Sequence, residues 1–137
     1  MSRALAALAI TAWLLAAPMA NADPTEVVAA ARTAVGVPYR WGGTDLRGMD
    51  CSGLVVWAHA QAGISVPRTS QQQAVAGMPV ARADLEPGDV IVFYPDASHV
   101  GLYAGEGHVI HASTYGRPVA EVPIDAVGPY RNARRLV

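Results

Sequence analysis

Hydrophobic and polar positions change their spacing once along the chain. Before residue 77, apolar residues recur at helical spacing in segments closed by glycine. After Pro87 and Gly88 they form short runs of strand length bounded by turn residues. The pattern predicts helices over 24–35, 51–62 and 70–76, and strands over 90–94, 99–104, 108–113, 119–123 and within 130–137. Helices followed by a strand meander predict an α+β fold with an antiparallel sheet.

The first 22 residues predict a secretory signal peptide that is removed before residues 23–137 fold as one domain. Arg3 precedes an apolar run over 4–17 and the small-residue triplet at 20–22. A membrane anchor needs roughly 20 apolar residues, and this run is shorter and is followed by Pro18. We therefore expect an exported protein, secreted or held in the cell wall or periplasmic space, with no membrane anchor after signal cleavage.

Charge and cysteine content narrow the function classes. Ten basic residues, all of them arginine, stand against eleven acidic ones. Nucleic-acid-binding domains carry a basic excess or patch, so we expect no nucleic-acid partner. Cys51 is the single cysteine, which excludes an internal disulfide. Its thiol is therefore inert, paired between chains, or chemically reactive.

Cys51 stands where the second helix is predicted to begin, and this position favours a reactive thiol. Unpaired N–H groups and the helix dipole stabilise a thiolate there, and a nearby imidazole would hold the pair as thiolate and imidazolium. Asp50 is placed to cap the helix, while Ser52 and Gly53 keep its first turn small. An inert buried cysteine needs none of these neighbours.

Two of the four histidines are distinguished by their distance from Cys51 and by the strand pattern. His59 lies eight residues further along the same helix, roughly 12 Å away at 1.5 Å per residue, so it cannot reach the sulfur. We expect it at the surface or partly buried. His99 opens a predicted strand and shares one face with the small residue Gly101. His99 is therefore the candidate base.

The other two histidines lie on the following predicted strand. His108 and His111 are an odd number of residues apart, so they point to opposite faces; we expect one in the site and the other exposed. A hairpin turn centred on Glu106 pairs residue 101 with residue 111, which places His111 diagonally near His99 as the group that orients the base. A slip of one residue would reverse this facing.

Six segments of the chain form a recognisable set. They are Pro38-Tyr39-Arg40-Trp41-Gly42-Gly43, Asp50-Cys51-Ser52-Gly53, Pro67-Arg68-Thr69-Ser70-Gln71-Gln72, Leu85-Glu86-Pro87-Gly88-Asp89-Val90, Ser98-His99-Val100-Gly101-Leu102-Tyr103 and Ile110-His111-Ala112. Together they resemble the NlpC (NlpC and p-sixty) family of papain-like bacterial cysteine peptidases, and they stand in family order. The resemblance covers nearly all of residues 23–137.

The resemblance implies a fold, a mechanism and a substrate. The fold would be a papain-like α+β domain with the nucleophile helix packed on an antiparallel sheet. Cys51 would attack the amide, His99 would act as base and then acid, His111 would orient His99, and Tyr39 would help to stabilise the oxyanion. Family members mostly hydrolyse peptide bonds of peptidoglycan stems, commonly between D-glutamate and a diamino acid.

Three polar residues beside the nucleophile are candidates for substrate contact: Asp50, Ser52 and Arg68. Each also has a structural interpretation, since Asp50 can cap a helix and Arg68 can serve as a hydrogen-bond donor. One cysteine and separated histidines lack the spacing of a zinc site. We therefore expect no metal or other cofactor. The resemblance implies peptidoglycan stem peptides as the substrate, and we expect a monomer.

Two other functions fit the same fold. A wall-binding module would tolerate loss of the thiol or the base, and this sequence keeps both. A thiol acyltransferase is the second alternative, but related lipid-acting enzymes have the histidine before the cysteine, whereas Cys51 precedes His99. Transglutaminase-like sites usually orient the base with aspartate, and the matching position here is His111.

Overall fold

The computed structural model describes residues 23–137, so the predicted signal peptide at 1–22 lies outside the described residues. The helices are α1 (Pro24–Thr33), α2 (Cys51–Gln61) and α3 (Ser70–Gln73). The strands are β1 (Thr44–Asp45), β2 (Gly48–Met49), β3 (Met78–Val80), β4 (Val90–Phe93), β5 (His99–Gly105), β6 (His108–His111), β7 (Ala120–Pro123) and β8 (Tyr130–Arg135). The predicted α+β class is confirmed. None of the described helices has the length and hydrophobicity needed to cross a bilayer.

Side-chain caps start all three helices where the sequence predicts them. Asp23 accepts a hydrogen bond from the Thr25 N–H at 2.9 Å, and Asp50 caps α2 through the Gly53 N–H at 2.7 Å. A capping box with Thr69 begins α3. The far ends are less well predicted, since α1 stops two residues and α3 three residues before the predicted end. Such terminal turns fray easily.

A six-stranded antiparallel sheet follows in the order β3-β8-β4-β5-β6-β7. Strands β4 to β7 form the predicted meander, while β8 inserts between β3 and β4. Helices α1 and α2 pack against β5 on one face of the sheet. There Val100, Leu102 and Ala104 join the helix-side core, and Ile91 and Phe93 join a second core on the opposite face.

Three short strands were not predicted. Strands β1 and β2 are two residues each and pair across a turn at 46–47, which is too short for an alternating pattern. Strand β3 contains Pro79 and lies at the sheet edge, paired with β8 alone. A proline normally argues against a strand, and edge strands are where it is tolerated.

The β5–β6 hairpin keeps the predicted register through a compensating irregularity. Its turn consists of Glu106 and Gly107, both with positive φ, so the residues that flank it are Gly105 and His108. One extra residue near Ala104 then restores the pairing of Leu102 with Ile110. One further step places residue 101 opposite residue 111, as predicted.

Candidate active site

The thiol and two imidazoles meet at one end of the sheet. Cys51 is the first residue of α2, His99 the first of β5 and His111 the last of β6. Cys51 and His99 both line a cavity of about 510 Å³, which lies within the roughly 300–1,000 Å³ of small-molecule sites. The three residues predicted to carry the chemistry are therefore brought together by different elements.

A hydrogen bond joins the two histidines and determines which nitrogen of His99 is available for chemistry. Nε2 of His99 lies 2.8 Å from Nδ1 of His111. For His99 to accept a proton at Nδ1, its Nε2 must carry the other proton and donate it to His111. His111 is then protonated at its own Nε2. This arrangement has the geometry of a base and the group that orients it.

Close backbone approach explains two glycines of the site. A Cβ at Gly101 would lie 3.2 Å from the Cβ of His111 and 2.6 Å from a methyl group of Val109. A Cβ at Gly53 would collide with the carbonyl oxygen of Gly43. Side chains at these positions would push β6 or the 38–43 loop away from the site, so the small residues predicted beside His99 and Cys51 are required by packing.

Burial opposes charge on both reacting groups. It is the largest influence on Cys51 and raises the pKa of the thiol, although the N–H groups of Val100 and Ser52 favour the thiolate. Burial and the neighbouring His111 lower the pKa of His99 to about 4. The helix-terminal N–H groups therefore favour the thiolate as predicted, while burial opposes it. The thiolate–imidazolium pair stays a prediction.

Tyr39 lies in the same cavity as Cys51, on the loop that precedes β1. Burial first, and then the proximity of Cys51 and Asp50, raises the pKa of its phenol, so it stays protonated. Its ring packs edge-on against Tyr115 at 5.0 Å between centroids. A neutral phenol can donate a hydrogen bond to an oxyanion, and this role of Tyr39 stays a prediction.

The three candidate substrate-binding residues contact one another. Arg68 binds both carboxylate oxygens of Asp50, at 3.1 Å and 2.8 Å, and also donates to the Ser52 hydroxyl at 2.7 Å. Burial raises the pKa of the Asp50 carboxyl, but hydrogen bonds from Arg68, Gly53 and Gly42 outweigh it and lower the pKa below its usual value. Both structural interpretations are thus observed. All three residues still line the cavity, and their contact with substrate stays a prediction.

Replacing Arg68 with alanine is expected to destabilise the domain by about 1–2 kcal/mol. The Asp50 carboxylate, 7% exposed, would lose its charged partner, and the half-exposed position of Arg68 reduces the penalty below that of a fully buried pair. Urea unfolding measures the change. Arg47→Ala is the matched control, since its pair with Asp45 is exposed and its loss should cost under about 1 kcal/mol. Equal losses of unfolding free energy in the two variants would show that the Arg68–Asp50 ion pair contributes no more than the exposed one.

His59 differs from its prediction. It is 0% exposed, and its Nδ1 lies 2.7 Å from the carbonyl oxygen of Val55, while its Nε2 has no partner. The helical spacing correctly separated it from Cys51 but could not show that this face of α2 packs into the core. His108 lies at the hairpin end of β6 and is half-buried rather than exposed. His111 is the member of that pair that joins the site.

Two buried histidines, His59 and His111, and the half-buried His99 are expected to make stability fall as the solution is acidified below pH 6.5. Burial lowers the pKa of His59, His99 and His111 in the folded state, so the unfolded chain binds more protons once the pH falls below the ordinary histidine pKa of about 6.5. A histidine that is neutral in the folded state but protonated in the unfolded state lowers the free energy of unfolding by about 1.4 kcal/mol for each pH unit of acidification. For His99 the loss levels off near pH 4.

Urea unfolding of the Cys51→Ala protein between pH 7 and pH 5 measures this slope. A second variant that also carries His59→Gln should show a shallower slope because one titrating group is removed. Identical slopes in the two proteins would exclude His59 as a contributor.

Two further groups near the nucleophile were not singled out from the sequence. Gln73 is fully buried and donates through Nε2 to the carbonyl oxygens of Ser52 and Pro67, which ties the start of α2 to the loop before α3. The N–H of Val100 faces the Cys51 sulfur. Gln73 directly follows a family-like segment, which is a local signal; the Val100 contact depends on tertiary packing alone. Within residues 23–137 no three His, Cys, Asp or Glu side chains gather as metal ligands.

The chain is similar to curated proteins that are described as peptidases. A probable endopeptidase of Mycobacterium tuberculosis is 58% identical over 116 residues, which cover 85% of this chain and 30% of that protein. A gamma-D-glutamyl-L-lysine dipeptidyl-peptidase of Bacillus cereus is 36% identical over 111 residues, covering 75% of this chain and 33% of the relative. The chain thus spans about a third of the length of these curated relatives.

Structural comparison and a family model lead to the same group. The solved structure of the peptidoglycan hydrolase RipB from Mycobacterium tuberculosis superposes with a TM-score of 0.75 at 34% identity, covering 83% of this chain and 64% of that one. The model described as the NlpC/P60 family matches residues 36–130. With most of its described residues matched and its papain-like arrangement in place, the chain belongs to the NlpC/P60 family.

Proposed function

We propose that residues 23–137 form an exported cysteine endopeptidase that hydrolyses a peptide bond in peptidoglycan stem peptides, between D-glutamate and a diamino acid. The main support is a single cavity lined by the thiol of Cys51, at a helix terminus, and by His99. Nδ1 of a second histidine, His111, lies 2.8 Å from Nε2 of His99. Relatives described as an endopeptidase, a gamma-D-glutamyl-L-lysine dipeptidyl-peptidase and a peptidoglycan hydrolase support the substrate class. The signal-like segment at 1–22 supports export.

The reaction uses the protein's own groups. The Cys51 proton moves to Nδ1 of His99, and the thiolate sulfur attacks the carbonyl carbon. The N–H of Cys51 and the hydroxyl of Tyr39 stabilise the resulting oxyanion. His99 then protonates the leaving amine as the carbon–nitrogen bond breaks, which leaves a thioester on Cys51. Water, losing a proton to His99, attacks the thioester, releases the free acid and restores the thiol.

Asp50, Ser52 and Arg68 belong to the proposed acyl side of the site. They line the cavity next to Cys51, and the Arg68 guanidinium reaches both neighbours. A substrate group that hydrogen-bonds Ser52 or Arg68 would find them already oriented by Asp50. We propose a monomer acting on peptidoglycan.

Digestion of purified stem peptides by residues 23–137, read by mass spectrometry, tests the proposal. We expect a new terminus between D-glutamate and the diamino acid, absent from a Cys51→Ala digest. Transfer of the acyl group to an added amine without hydrolysis would indicate an acyltransferase. Binding to peptidoglycan with no cleavage by a folded wild-type protein would indicate a wall-binding module. Either result would overturn the endopeptidase proposal.

A further inference from the structure

A second cavity adjoins the catalytic cavity at His99. It has a volume of about 220 Å³, below the range of sites that hold a whole small ligand. Ser98, His99 and Ser113 line both cavities. The residues that line the second one are Tyr94, Ser98, His99, His111, Ser113 and Val127.

The two cavities lie toward opposite faces of the sheet. Cys51 and Tyr39, in the catalytic cavity, pack against the helix-side core. Val127, in the second cavity, packs against the core on the other face. Tyr94 directly follows β4, which is the neighbour of β5 in the sheet. A substrate that passes over His99 would therefore cross the end of the sheet from one cavity into the other.

We infer that the second cavity binds the leaving residue of the substrate, the residue that supplies the amine nitrogen of the cleaved bond. The inference rests on the proposed function. The carbonyl carbon must lie at the Cys51 sulfur, so the acyl half occupies the catalytic cavity. The amine nitrogen must lie within reach of His99 to receive its proton. The chain beyond that nitrogen then continues past His99, where the second cavity opens.

The lining chemistry fits a polar residue. The cavity contains no aspartate, glutamate, arginine or lysine side chain. The hydroxyls of Ser98 and Ser113 can each donate and accept a hydrogen bond, and the Tyr94 hydroxyl can accept one. A diamino acid carries amine and carboxylate groups that such hydroxyls can bind. The volume suits this one residue rather than a longer peptide.

Tyr94 forms one wall of the cavity and is held by hydrogen bonds from both its backbone and its side chain. Its φ of 69° is unusual for a residue with a side chain. Its N–H donates to the Pro129 carbonyl at 2.8 Å, and its hydroxyl donates to the Val127 carbonyl at 3.3 Å. A Cβ at Gly128 would lie 2.7 Å from that hydroxyl, so the ring fits only against a glycine. The hydroxyl lone pairs remain free to accept an N–H from the leaving residue.

Two substrates with the same L-alanyl-D-glutamyl acyl half test the inference. One carries the diamino acid as its leaving group, and the other is the corresponding γ-methyl ester, whose methanol is too small to fill the cavity. Tyr94→Phe should lower kcat/KM for the peptide about three- to tenfold, as expected for one lost hydrogen bond, with the ester within about twofold of wild type. Val127→Phe, which narrows the cavity, should lower kcat/KM for the peptide at least about tenfold and leave kcat/KM for the ester unchanged.

Tyr103→Phe is the matched control, because its hydroxyl accepts from the Gly107 N–H in the hairpin turn and it does not line either cavity. It should leave both substrates unchanged. Equal losses on peptide and ester would mean that Tyr94 and Val127 act through His99 and would overturn the inference. Unchanged peptide hydrolysis in both variants would overturn it as well. A wild-type protein that hydrolyses neither substrate would overturn the proposed function and the inference together.

Discussion

Replacing Cys51 with alanine is expected to reduce hydrolysis at least about 10⁴-fold while the domain stays folded. The sulfur forms the covalent bond to the substrate, and nucleophile removal in comparable triads costs this much or more. The substitution removes one heavy atom from a half-buried position, so its effect on stability should be small. Mass spectrometry of stem-peptide digests measures the activity, and circular dichroism measures the fold.

Alkylation provides an independent control on the same atom. Cys51 is the single cysteine of the sequence, so iodoacetamide treatment of the wild-type protein modifies one thiol and should abolish activity to the same extent. Full activity in the folded Cys51→Ala protein, or in a protein shown by mass to be fully alkylated, would refute covalent catalysis.

His99→Ala is expected to lose more activity than His111→Ala. Loss of the group that transfers the proton costs about 10²–10⁴-fold, whereas loss of a group that orients a neighbour costs about 10–100-fold. His111→Asn should recover part of the loss, since an amide oxygen can accept the hydrogen bond from His99 Nε2. Steady-state kinetics on the stem peptide measure all three variants.

His108→Ala is the matched control for this pair of histidines. It lies on the same strand as His111 but at the hairpin end, opposite Gly105, so its activity should stay within about twofold of wild type. A loss at His111 equal to or greater than that at His99, with unchanged circular dichroism, would reverse the two assignments.

Local signals made the core of the site predictable. Asp50 marks the start of α2, so the position of Cys51 at a helix terminus follows from neighbouring residues. The turn at 106–107 and the spacing of His99 and His111 determine which strand residues oppose each other. The predicted pairing of β5 with β6 is correct, although the turn begins one residue later than predicted, because an extra residue near Ala104 compensates for this shift.

Tertiary packing determined what the sequence could not predict. The burial of His59 depends on which face of α2 meets the sheet, and α2 is apolar on too many sides to reveal it. The contact of Arg68 with Asp50 joins residues 18 positions apart. Burial also reverses the expected direction of the Cys51 pKa, because solvation depends on the whole fold rather than on the helix terminus.

The insertion of β8 between β3 and β4 has a consequence for the order of assembly. The meander of β4 to β7 can pair as the chain grows, but β3 has no partner other than β8 among the described strands. Val127 and Pro129, whose carbonyl oxygens accept hydrogen bonds from Tyr94, also lie just before β8. During synthesis the region beside His99 is therefore completed only after β8 has been made, and a nascent chain that has not yet reached β8 holds its nucleophile in an unfinished cleft.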